Sequence, residues 1–125
     1  MINILIVFIY MFIHTPDCSN FKTGKFYTDT PTLGRTIIER NDSIQIEKNI
    51  EVGYHYVLQI EWEDDCTYKL TLIDNKSTNP KFSPPTPSFV ITTRITQVNE
   101  NSYSTEASLN GGAFNYGGVI YRFID

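Results

Sequence analysis

Four carboxylates fall within five positions, Glu61, Glu63, Asp64 and Asp65, the densest charge in the chain. Calcium takes roughly six to eight oxygen ligands and often finds them at a turn, so a cation site is the first chemistry these residues suggest. Their spacing does not follow the EF-hand loop, and a solvated hairpin turn accounts for them more simply. Glu61 and Glu63 also share a face, as the paired carboxylates of glycoside hydrolysis must, but that face is the polar one and no cleft is implied. His55 is the one histidine outside the N-terminal segment. No serine or cysteine stands near it in a nucleophilic arrangement. The two cysteines are too far apart for a zinc knuckle. The expectation is a non-catalytic protein with no metal and no cofactor.

Those cysteines, Cys18 and Cys66, carry the remaining covalent chemistry. Residues 2–13 are apolar but for Asn3, too short a run to span a bilayer and of the length of a signal-peptide core. A signal peptide over residues 1–17 is therefore expected, although no Lys or Arg precedes the apolar run. In an exported chain a Cys18–Cys66 disulfide is the natural pairing, contributing roughly 4 kcal/mol in the chain-entropy model. A lipidated Cys18 and a pair of free thiols are the alternatives. A lipidation site normally has a small residue in front of the cysteine, and here Asp17 occupies that place. Localisation is expected to be secreted or periplasmic, with lipid anchoring the lesser alternative and no transmembrane segment in the mature chain.

The element that positions most of these groups is a hairpin over residues 54–73. Tyr54, Tyr56, Leu58, Ile60 and Trp62 alternate with polar residues, and Cys66, Tyr68, Leu70 and Leu72 continue the apolar series, the period of half-buried strands. A three-residue loop over residues 63–65 keeps both apolar sets on one face, pairing Trp62 with Cys66, Ile60 with Tyr68, Leu58 with Leu70 and Tyr56 with Leu72. A first strand is predicted over residues 21–28, with Gly24 marking a bulge or close approach. A second hairpin turns at Asn41 and Asp42, setting Ile37 opposite Ile46 and Glu39 opposite Ile44. Neither of its faces is cleanly apolar. Should the polar one turn inward, Arg40, Gln45 and Glu47 become an interior cluster.

Residues 74–87 lack periodicity and hold Pro80, Pro84, Pro85 and Pro87, so they read as a surface loop. Strands follow over residues 88–98, 103–109 and 119–124, with turns at residues 99–102 and at Asn110 and Gly111. No window has a helical apolar period. The 125 residues thus form one all-β domain over residues 18–125, an antiparallel up-and-down barrel of about eight short strands, with a two-sheet β-sandwich as the alternative. A net charge of −4, with ten scattered basic residues, excludes a nucleic-acid groove.

Three segments carry a resemblance: Cys-x-x-Phe-Lys-Thr-Gly-Lys-Phe at residues 18–26, Ile-x-Arg-Asn-Asp-Ser-Ile-Gln-Ile-Glu at residues 38–47, and Glu-Trp-x-x-Asp-Cys-x-Tyr-x-Leu at residues 61–70. The chain resembles small exported proteins of bacteria with this order of segments, and more distantly the lipocalin and calycin barrels. That resemblance implies export and a β-barrel but no activity. Gly24, Lys25 and Phe26 stand where lipocalins carry Gly-x-Trp on the first strand, and the resemblance offers Arg122 as the arginine that packs on that ring, the alternative being that it alternates with Val119, Tyr121 and Phe123 and points to solvent. Phe replaces Trp, the central lipocalin motif is missing, and there is no C-terminal helix.

In a closed barrel Tyr56, Leu58, Ile60, Trp62, Tyr68, Leu70, Phe89, Ile91, Tyr121 and Phe123 would converge. Aromatic-lined interiors with a few polar tips hold small apolar ligands, and these ten are the candidate ligand-binding residues. The competing reading is a core that these side chains fill, leaving a structural module that meets a protein or surface partner through the proline-rich loop or an exposed strand. Asn41 and Asn75 each begin an N-glycosylation pattern.

Overall fold

The computed structural model describes residues 17–84 and 89–124, so the signal-peptide expectation lies almost wholly outside the described residues. Eight antiparallel strands close into a barrel in sequence order. They are β1 (Gly24–Thr30), β2 (Gly34–Arg40), β3 (Ile44–Asn49), β4 (Tyr54–Asp64), β5 (Thr67–Asn75), β6 (Val90–Val98), β7 (Ser102–Leu109) and β8 (Tyr116–Arg122). The barrel, not the sandwich, is the fold. Among the described residues no helix is long and apolar enough to cross a membrane.

Alternation places the faces as the sequence suggests, but both hairpin registers differ from expectation by two residues. In β4–β5, Trp62 stands opposite Tyr68, Ile60 opposite Leu70 and Leu58 opposite Leu72, while Tyr56 meets Asn75. Asp64 pairs with Thr67 and an irregularity between Trp62 and Asp64 absorbs the extra residue, so the tight turn sits at Asp65 and Cys66. In β2–β3, Ile37 meets Lys48, Glu39 meets Ile46 and Arg40 meets Gln45. The Asn41 side chain organises that turn, its Oδ1 accepting the backbone N–H groups of Ser43 and Ile44 at 3.0 and 2.8 Å. A shift of two keeps every residue on its side of the sheet.

Phe21 is not in the first strand. Residues Cys18–Phe21 form a 3-10 turn capped by the Asp17 carboxylate, and that turn lies over one end of the barrel. Gly24 begins β1 at φ +131°, and a Cβ there would come within 2.8 Å of the Arg122 guanidinium, which is the close approach its position suggested. The last seam is thin. β1 and β8 are matched only at Phe26–Arg122 and Tyr27–Tyr121, supplemented by the Phe123 N–H on the Lys25 carbonyl and by the Thr28 hydroxyl on the Val119 carbonyl. At the far end the third 3-10 turn, Pro80–Phe82, brings the Phe82 ring to 5.1 Å from Tyr54.

Candidate functional site

The polar face of β2 and β3 turns inward, and Arg40 is its centre. Only 5 % exposed, its guanidinium donates from Nε to Gln45 Oε1 at 2.8 Å, from Nη1 to the Phe21 carbonyl at 2.7 Å and from Nη2 to the Tyr103 hydroxyl at 2.9 Å. Nη2 also lies 3.4 Å from the Tyr68 hydroxyl, and the group sits 4.9 Å from the centroids of both Phe26 and Tyr68. Among the described residues no carboxylate pairs with it. Gln45 instead relays to Glu47, donating from Nε2 at 2.6 Å, and the Tyr54 hydroxyl donates to the other Glu47 oxygen at 2.6 Å. Burial opposes the Arg40 charge, but the Tyr103 and Tyr68 oxygens, the Tyr103 hydrogen bond and Glu47 hold its pKa above the ordinary value. Burial pushes Tyr68 up strongly, with Tyr103 adding to it and Arg40 opposing. Tyr54 is likewise pushed up, by burial first and then by Glu47.

The 3-10 turn closes this end as a plug. Phe21 is buried 5.0 Å from the Tyr103 ring, and its carbonyl is the one held by Arg40. Cys18 is bridged to Cys66 with Cα atoms 5.2 Å apart, and Lys22 pairs with Asp65 at 2.8 Å. Arg122 points inward from β8, its guanidinium 4.9 Å from the Phe26 ring and 5.1 Å from Phe21, and it donates to the Asn20 carbonyl. Trp62 lies beneath, with its ring 4.7 Å from Tyr68. Its indole N–H is the one buried side-chain nitrogen or oxygen without a hydrogen-bond partner among the described residues.

The opposite end differs. There a cavity of about 300 Å3 lies between β6, β7 and β8, lined by Phe89, Ile91, Ala107, Ser108, Leu109 and Tyr116. Ile91 stands opposite Leu109 and Ala107 opposite Tyr116, which puts these four on one face of the sheet. Two broader depressions, of about 460 and 430 Å3, lie on the outer face of β1–β3. They are lined by mixed charges such as Lys25, Glu39 and Lys48. Size alone does not select them, because an open charged trough removes little of a small molecule from water.

Of the ten expected ligand-lining residues, Tyr56, Leu58, Ile60, Tyr68 and Leu70 are buried against one another, with Trp62, Phe89 and Ile91 at the edge of that cluster. Only Phe89 and Ile91 reach the cavity wall. Tyr121 and Phe123 do not converge with the rest. Because Arg122 takes the inward place opposite Phe26, its neighbours face outward, where both rings pack on Tyr27 at 5.3 and 5.0 Å.

Ala107 and Leu109 stand two apart in the strand expected over residues 103–109, so alternation puts them on one face, the available signal for that wall. Tyr116 lies outside the last strand expected over residues 119–124, because β8 begins three residues earlier and takes in Gly117 and Gly118.

The acidic run is engaged locally. Glu63 pairs with Lys69 at 3.0 Å, Asp65 with Lys22, and Asp64 Oδ1 accepts the Cys66 N–H at 2.8 Å. Among the described residues no group of three or more His, Cys, Asp or Glu side chains is arranged to hold a metal ion. His55 pairs with Lys48 across β3–β4, and burial, then Lys48 and Lys76, lower its pKa against the pull of Asp74. Comparison with family models, curated proteins and solved structures returns no match. The chemistry of the site therefore has to be read from its own residues.

Proposed function

We propose that this is an exported, non-catalytic barrel that holds a small apolar ligand at the end away from the disulfide. The observation that carries the reading is the apolar cavity of about 300 Å3 between Phe89, Ile91 and Leu109, at the lower limit of the roughly 300–1,000 Å3 usual for ligand sites. The plugged end favours access from the other side. Export is supported by the disulfide, since such bridges persist in oxidising compartments. A sulfur committed to Cys66 is also not free to carry a lipid, so removal of residues 1–17 by signal cleavage is preferred to anchoring. A calycin-like barrel is supported by Arg122 on the Phe26 ring, last strand to first.

Native mass spectrometry of exported, unreduced protein tests the proposal. A discrete additional mass that disappears on denaturation is expected. A bare mass under gentle conditions would favour the second reading, a filled-core module that meets a protein partner. For that reading the supporting observation is the outer aromatic strip of Tyr27, Tyr121 and Phe123, with Arg35 3.9 Å over Tyr27 and Lys25 5.0 Å over Phe123.

A further inference from the structure

Resting on the reading of the cavity as a ligand site, we infer that its ligand is electrically neutral and that the barrel rejects the carboxylate of an otherwise suitable molecule. Among the described residues the wall offers no charge to an anion. Its described lining is Phe89, Ile91, Ala107, Ser108, Leu109 and Tyr116, in which Ser108 and Tyr116 are the polar residues. An ionised carboxylate brought into such a site without a partner loses its hydration and shifts toward its protonated form instead.

The inward-facing cations do not change this. Arg40 is 5 % exposed, and its three nitrogens already donate to Gln45, the Phe21 carbonyl and the tyrosine hydroxyls. Arg122 donates to the Asn20 carbonyl beneath the plug and lies on two rings, Phe21 and Phe26. Arg94, by contrast, lies on the outer face of β6 and is held there by Glu106 at 2.7 Å. The inward-facing carboxylate of Glu47, held by Gln45 and Tyr54, adds a potential that opposes a second negative charge. A neutral hydroxyl or carbonyl tip is different, because Tyr116 at the half-open rim can meet it.

A matched pair of probes tests this: 1-naphthalenemethanol and 1-naphthoate, titrated by calorimetry into the oxidised chain at pH 7.5. The alcohol is expected to bind about tenfold or more tighter than the acid, a difference of about 1.4 kcal/mol or more. Leu109→Lys places an ammonium on the wall and should recover 1-naphthoate binding. Equal or tighter binding of 1-naphthoate to the unaltered chain overturns the inference while leaving the ligand site standing. Binding of neither probe removes the site itself, and the inference with it.

Discussion

Arg40 shows how a charge can be kept inside a small barrel without an ion pair. Burying a guanidinium costs several kcal/mol unless its donors are met, and here a carbonyl, an amide and two phenols meet them. Replacing it with an apolar residue would strand those acceptors, each unsatisfied buried group costing about 1–3 kcal/mol. Arg40→Met is therefore expected to lower stability by about 3–5 kcal/mol in urea unfolding. A loss below about 1 kcal/mol would mean the cluster is dispensable packing. His55 gives a prediction of opposite kind. Its folded pKa lies below the ordinary 6.5, so the unfolded chain takes up the proton first as pH falls. Stability is full above about 6.5, declines as pH drops below it and levels off beneath the folded value. His55→Gln should flatten the melting-temperature profile in that window, and an unchanged slope would assign it to other groups.

Among the elements, the strands were legible and their registers were not. Side-chain alternation has period two, so sliding a strand by two residues leaves every face intact and leaves no trace in the pattern. What set the registers was turn chemistry: Asn41 capping two backbone N–H groups, and an extra residue absorbed near Glu63. The plug was missed because residues 21–28 read as one extended run, whereas Phe21 is held out of β1 by the bridge at Cys18 and by the Arg40 bond to its carbonyl. Two variants test that element. Cys18→Ser with Cys66→Ser opens a loop of sequence separation 48, which the chain-entropy model values at about 4 kcal/mol. Arg122→Ala removes two ring contacts and the bond to Asn20, and should cost about 1–2 kcal/mol. An unaltered melting temperature in the second would show that Arg122 adds nothing to the disulfide and the Arg40 bond in securing the plug.

For the whole molecule, one end of the barrel is plugged and the other carries a half-open apolar pocket of about 300 Å3 between β6, β7 and β8. Apolar cavities forgo dispersion contacts, and filling them commonly stabilises a protein by about 0.5–2 kcal/mol. Ala107→Phe is the probe, since Ala107 lies on the cavity wall opposite Tyr116 and its methyl leaves room for a ring. The expected variant is more stable by about 0.5–2 kcal/mol, measured in urea, and no longer binds 1-naphthalenemethanol. Stabilisation with binding intact would place the ligand elsewhere, on the outer face of the sheet. Destabilisation would mean that the space is already shaped to its own side chains, because overpacking a complete core typically costs about 1–3 kcal/mol. A gain in stability coupled to a loss of binding is the outcome that makes the cavity the reason the barrel was left unfilled.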